Sequence, residues 1–200
     1  MGDTRDPRFA EFADGGSGSS GRGPVCSLTI RRASEQDADV LGAISARREG
    51  GSADEQAAAF RRFIGRADAG ERSLVLLAEI PEGIIGFGKA RHLDRRAWRR
   101  AGLSPEGWYL TGVVVDPEHR RRGAGSRLTL ERLRWLARRS DCAYYFANAR
   151  NRVSIALHER FGFVEVGRAA FIAGTSFEGG EGILFRSELT ALGKQEPRLA

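Results

Sequence analysis

The chain has 200 residues, 41% of them hydrophobic, which suits one domain with a core of ordinary size. Its formal charge of +6 and isoelectric point near 10.1 are compatible with an anionic partner. The basic residues are nearly all arginines, spread as pairs such as Arg31–Arg32, Arg61–Arg62 and Arg138–Arg139, so a dedicated nucleic-acid surface is disfavoured. Cys26 and Cys142, the two cysteines, support neither a disulfide framework nor a zinc site, and no metal is expected. No stretch reaches the roughly 20 apolar residues of a membrane span, and the N-terminus lacks the apolar core of a secretory signal. A cytoplasmic protein without membrane attachment is the resulting expectation.

Residues 1–26 are rich in Gly, Ser, Asp and Arg and read as a flexible tail that buries too little to offset its ordering entropy. The domain is expected over residues 27–190, with a short C-terminal tail at 191–200. Leu28–Arg32 reads as a first strand. Ser34 and Asp37 resemble a helix start, followed by Val40, Leu41 and Ile44 on an apolar face and by the stop Gly50–Gly51. A second helix runs from Ser52 to about Ala69, with Phe60, Phe63 and Ile64 on one side. Leu74–Ile80 and Ile84–Arg91 flank Pro81-Glu82-Gly83, an antiparallel hairpin signal.

A basic, irregular connection over residues 92–107 leads to the strand Trp108–Val115, closed by Asp116-Pro117. The next helix, from about Gly125 to Arg139, carries Leu130, Leu133, Leu136 and Ala137 at helical spacing. Ala143–Asn148 is a strand and Asn151–Arg160 a short helix, its face read as Val153, Ala156, Leu157 and Phe161, with Gly162 as its stop. Phe163–Arg168 and Gly182–Leu189 are the last strands, and Thr175–Gly182 between them reads as a flexible lid or turn. This order mixes hairpins with βα crossovers. It implies an α/β chain of the α+β type, a mixed sheet of about seven strands flanked by about four helices.

The chemistry concentrates at Arg120-Arg121-Arg122-Gly123-Ala124-Gly125, between a β-branched strand and an amphipathic helix. A helix N-terminus offers unsatisfied N–H donors and a positive dipole end, both favourable to phosphate. Gly123 and Gly125 let the backbone approach an anion without a Cβ in the way. The segment is neither a Walker loop nor the longer dinucleotide fingerprint.

Val113–Gly125 resembles the acetyl-CoA-binding motif of the GNAT superfamily of acyl-CoA N-acyltransferases, whose core Arg/Gln-x-x-Gly-x-Gly/Ala is matched by Arg120, Gly123 and Gly125. The resemblance implies that amides from Arg121 through Arg122, Gly123, Ala124 and Gly125 to Ser126 bind the CoA pyrophosphate. It also implies that backbone groups of Val113 and Val115 pair with the pantetheine arm. Asn151–Phe163 resembles the family's later segment Asn-x-x-Ser/Ala-x-x-Leu-Tyr-x-x-x-Gly-Phe, which places Asn151 and Ser154 beside the cofactor. The tyrosine of that pattern, the acid for the departing thiolate, is replaced by His158. An imidazole of ordinary pKa, about 6.5, can fill that role.

The reaction implied is direct attack of a neutral primary amine on acetyl-CoA in a ternary complex, with the thioester carbonyl polarised near Val113 and no covalent enzyme intermediate. Tyr109 and Thr111 alternate on one strand face and are candidates to line the substrate cleft. The base is unassigned, with Glu106, His92 and a water chain as candidates. Arg95, Arg96, Arg99 and Arg100 suit an acidic acceptor or a solvated loop, whereas Glu178 and Glu181 suit a cationic amine. A small-molecule amine is favoured over a protein N-terminus or lysine. A non-catalytic acyl-CoA sensor is the alternative from another class, and the final strands can pair across a homodimer.

Overall fold

The structure is a computed structural model and describes residues 27–68, 72–94, 103–177 and 179–190. The expected tails at 1–26 and 191–200 lie outside these residues, as do Cys26, Arg95, Arg96, Arg99, Arg100 and Glu178.

In chain order the elements are β1 (Thr29–Arg32), α1 (Ala38–Glu49), α2 (Ala53–Asp68), β2 (Ser73–Ile80), β3 (Gly83–Leu93), β4 (Gly107–Val115), α3 (Ala124–Ala137), β5 (Cys142–Asn148), α4 (Arg152–Glu159), β6 (Val164–Ala169), β7 (Phe171–Ile172), β8 (Thr175–Ser176) and β9 (Gly182–Glu188). Seven strands form one sheet in the order β1-β2-β3-β4-β5-β9-β6, and β7 and β8 form a separate pair. Within the large sheet only β4 and β5 run parallel, because the α3 crossover joins them. The mixed sheet and its four helices agree with the architecture read from the sequence.

The sheet's alternation feeds three apolar clusters. On one face Leu74, Leu76, Leu110, Tyr145, Ile183 and Phe185 meet Leu128, Leu133 and Leu136 of α3, with Ile155 of α4 packed alongside. On the other, Val75, Leu77, Phe87 and Val114 meet Leu41 and Ile44 of α1 and Phe60 and Ile64 of α2. These two helices approach closely at Gly42, where a Cβ would stand 2.5 Å from the Ala53 carbonyl oxygen. Ser34 and Asp37 do start the helical region: the Asp37 carboxylate accepts from the Ser34 N–H at 2.8 Å and receives Arg31 Nη1 and Nη2 at 2.9 and 2.8 Å. Their capping box closes a 3₁₀ turn, Glu35–Asp37, ahead of α1.

The third cluster corrects one expectation. Ile172, Ala173 and Phe177 pack on Leu93, Tyr109, Phe146 and Leu184, so the first part of the expected lid is a β7–β8 hairpin anchored to the sheet. The face expected for α4 is rotated as well. Val153 is 52% exposed, and the helix turns His158 inward, with Ile155 half-buried. Ala156 is exposed too, while Leu157 and Phe161 of the expected face are half-buried, so the inward side runs through Ser154, Ile155, Leu157 and His158.

Candidate functional site

The site is built on a local failure of sheet pairing. β4 and β5 pair only at Tyr109↔Tyr144 and Leu110↔Tyr145, while β4 runs on to Val115 and β5 follows β9 to Asn148. From Thr111 onward the two parallel strands are unpaired and leave a wedge between them. On its other side β4 bulges: Lys89 of β3 stands opposite both Thr111 and Gly112, and Gly112 takes φ +100°. The Asp116 N–H donates to the Ile85 oxygen, so ladder parity turns Val114 toward β3. Val113 and Val115 therefore direct their backbone groups to the wedge. Their carbonyls accept Arg48 Nη1 and Arg120 Nε, each at 3.1 Å. The N–H groups of this edge are what remains for a ligand.

At the mouth of the wedge the chain turns into α3. Arg121 is held at φ +58° and Gly123, the residue preceding the helix, at φ +90°. Left-handed residues in a turn orient successive amides toward one point, a geometry suited to an anion. The first intrahelical bond into this turn runs from Arg127 N to Gly123 O at 3.0 Å, which leaves the amides of Ala124, Gly125 and Ser126 without helical acceptors. Arg122 and Ser126 are half-buried beside them, and the Arg122 Nε is buried with no hydrogen-bond partner. Gly125 behaves differently from Gly123. A Cβ there would make ordinary contacts with Leu157 at 3.8 Å and Val115 at 3.9 Å, so it borders the wedge and strains nothing.

The α4 motif forms the opposite wall. Asn151 is its N-cap, with Oδ1 accepting from the Ser154 N–H at 3.1 Å. Ser154 also accepts the Tyr145 hydroxyl at 2.6 Å. His158 is only 2% exposed and stacks on the Tyr145 ring, with centroids 3.6 Å apart and planes 7° from parallel. Its Nδ1 lies 2.8 Å from the Ser154 carbonyl oxygen. A carbonyl only accepts, so Nδ1 carries the proton and the neutral ring's Nε2 does not. Burial pushes the imidazole down to about 3, with the nearby Arg132 cation lowering it further. The expectation that His158 protonates the leaving thiolate meets a physical obstacle here: its one proton is already committed to backbone.

Tyr109 also departs from its expected place. It is fully buried, donates its hydroxyl to the Pro105 oxygen at 2.6 Å and stacks on Tyr144, so it belongs to the third cluster and does not line a cleft. Burial holds its phenol well above the usual range. Thr111 lies on the wedge's edge, and its hydroxyl is buried without a hydrogen-bond partner. His92 and Glu106 come together with Asp94, their ligand-type atoms within 4.8 Å of one another. That group sits where Trp108 pairs with His92, three residues and about 10 Å along β4 before the bulge. Asp94 is already held by Arg72 through two 2.9 Å bonds.

Two residues escaped the sequence reading. Arg132 of α3 is 0% exposed, and its guanidinium donates to Leu128 O (3.1 Å), Lys89 O (3.0 Å), Gly112 O (3.1 Å) and Thr129 Oγ1 (3.0 Å). It staples α3 to both sides of the β-bulge. Burial lowers its pKa to about 9, so it remains a cation at neutral pH. Spacing from Leu128, Leu133 and Leu136 places it on the inner face, a signal overridden by the ordinary exposure of charged residues. Tyr145 was signalled only by the alternation of β5.

A model of the acetyltransferase (GNAT) family matches residues 35–163, more than half of the chain. The chain belongs to the GNAT acetyltransferase family. Solved structures agree at the level of fold. A GNAT-family acetyltransferase from Streptococcus pneumoniae superposes with TM-score 0.61 at 18% identity, covering 81% of this chain and 99% of that one. A ribosomal-protein-alanine N-acetyltransferase from Brucella melitensis gives 0.61 at 20% identity, covering 80% and 99%. A mutant spermidine N-acetyltransferase from Vibrio cholerae gives 0.60 at 17% identity, covering 83% and 98%. No curated protein sequence matches the chain. Among the described residues of this GNAT protein, no helix is long and apolar enough to cross a membrane.

Proposed function

We propose that this GNAT protein is a cytoplasmic N-acetyltransferase that moves the acetyl group of acetyl-CoA to the primary amine of a small molecule, by direct attack within a ternary complex. The observation that carries the reading is the unpaired stretch of β4 from Thr111 to Val115 leading into a turn of convergent amides at Arg121–Ser126. An extended amide-bearing chain ending in a pyrophosphate suits that sequence of donors: strand N–H groups first, then a helix N-terminus.

In this reading the amides from Gly123 to Ser126 hold the pyrophosphate, with Arg120, Arg121 and Arg122 adding attraction. Val113 and Val115 orient the pantetheine arm, and an N–H near Val113 polarises the thioester carbonyl. Asn151 and Ser154 border the cofactor from α4. Thr111, with its unpartnered hydroxyl, remains the candidate for the acceptor side of the wedge. His158 braces Tyr145 and Ser154 and supplies no proton. The base is left to water or to a group outside those named, because His92 and Glu106 stand away from the bulge.

Neighbouring structures bear names that act on different amines, a polyamine in one case and a ribosomal protein in another. The test is therefore acetyl-CoA turnover across a panel of small amines, amino acids and N-terminal peptides, followed by release of free thiol. Turnover with a small amine supports the reading. Turnover with peptides alone would move the acceptor to protein N-termini, and binding of acetyl-CoA without turnover on any acceptor would favour a sensor.

A further inference from the structure

Ser154 is held at three points. Its N–H goes to Asn151 Oδ1 at 3.1 Å, its carbonyl accepts His158 Nδ1 at 2.8 Å, and its hydroxyl oxygen accepts the Tyr145 O–H at 2.6 Å. Its own hydroxyl proton donates to none of the described residues, and the side chain is only partly buried. Tyr145 belongs to the last residue pair before β4 and β5 part, so its hydrogen bond ties the Ser154 side chain of α4 to the sheet at that level. Arg132 is fixed close by, donating to the Gly112 oxygen of β4 two residues beyond the Leu110–Tyr145 pair, and its charge lowers the pKa of His158. Arg48 and Glu159 also act on Tyr145, the first favouring an anion there and the second opposing it. All four acceptors of Arg132 among the described residues are neutral oxygens, so these residues solvate its buried charge without a carboxylate counter-ion.

We propose that the leaving sulfur is received as a thiolate by the Ser154 hydroxyl, which Tyr145 and His158 hold in position, while the Arg132 cation stabilises the charge and no protein acid protonates it. The proposal rests on the acetyl-thioester reading above. In the step, the amine lone pair forms the new C–N bond and the C–S bond breaks with its electron pair on sulfur. The surplus ammonium proton passes to water, and the thiolate takes its proton from solvent after release. Complete proton transfer from the protein is disfavoured at both aromatic neighbours. Burial raises the Tyr145 phenol above its ordinary range, so it keeps its proton, and His158 has none free. What the site offers instead is a preorganised donor in a cationic setting, which stabilises developing negative charge without reorganisation. Ser154 is then a catalytic residue; Tyr145 and His158 are positioning residues.

The experiment titrates the thiol of CoA bound to the full chain, followed by the ultraviolet absorbance of the thiolate, in the wild type and in Ser154→Ala, Tyr145→Phe and Ser154→Thr. The bound thiol is expected to ionise about one pH unit or more below free CoA. Ser154→Ala and Tyr145→Phe return it toward the free value and lower kcat roughly tenfold to a hundredfold, with the KM for acetyl-CoA within about threefold. Ser154→Thr keeps the hydroxyl and retains the wild-type titration. If Ser154→Ala and Tyr145→Phe bind CoA and titrate as the wild type does, the proposal is overturned while the acetyltransferase reading stands. If the wild type fails to bind CoA at all, both fall together.

Discussion

The two glycines of the turn into α3, which the proposed function assigns to the CoA pyrophosphate, look alike in sequence and should respond in opposite ways to alanine. Gly123 sits at φ +90°, and a Cβ there would meet nothing within 4 Å, so the whole cost of Gly123→Ala is conformational. A left-handed conformation costs an L-residue about 1–2 kcal/mol. The loop either bears that cost or relaxes it by rotating the amides that follow. If it relaxes, a charge-assisted bond to a phosphate worth about 1.5–3 kcal/mol is lost, which weakens CoA binding by roughly tenfold to a hundredfold or slightly more. Gly125 has no positive φ, and its added Cβ would find only ordinary contacts with Leu157 and Val115. Gly125→Ala should leave both stability and affinity within a few tenths of a kcal/mol. Urea denaturation gives the stability of each variant and calorimetry with CoA gives its affinity. Equal losses in the two variants would refute the argument, because they would show that the site is sensitive to any added methyl and not to the left-handed turn.

Other consequences follow from the packing and from the buried imidazole. Gly42→Ala places a Cβ 2.5 Å from the Ala53 oxygen and 2.7 Å from the Ala57 nitrogen, so α1 and α2 must separate. A loss of about 1–3 kcal/mol in urea denaturation is expected, and an unchanged midpoint would contradict the observed approach of the helices. His158 has a folded pKa depressed to about 3, below an unfolded value of about 6.5. Its neutral form therefore contributes stability that is fully present above about pH 6.5 and is lost as pH falls toward about pH 3. Between about pH 7 and pH 5 this is worth roughly 2 kcal/mol, and His158→Gln should remove that slope from the pH dependence of urea unfolding. An equal slope in the variant would show that the imidazole is not buried neutral.

How much of this was legible in the sequence depended on how local each feature is. The turn at Arg120–Gly125 is legible as a turn into a helix because its left-handed geometry comes from consecutive backbone units. The Asn151 cap was readable for the same reason, since its partner is Ser154, three residues on. The protonation state of His158 is not legible in the sequence because its proton is placed by tertiary contacts: the stack on Tyr145 and the burial between α4 and β5 decide its tautomer and charge. Tyr109 was misread because alternation gives the side of a strand but not what covers it. The cover is the β7–β8 hairpin, which returns from more than sixty residues later in the chain. Arg132 was missed because a charged side chain is normally exposed. This one is buried because the bulge opposite Lys89 presents carbonyls that the β3–β4 ladder leaves to another donor.

Hydrogen exchange of the full chain with and without acetyl-CoA tests the central claim most directly. The account predicts added protection at the amides of Arg121–Ser126 and at the β4 edge from Thr111 to Val115, together and at the same ligand concentration. Protection confined to other surfaces, or none at these two segments, would contradict it.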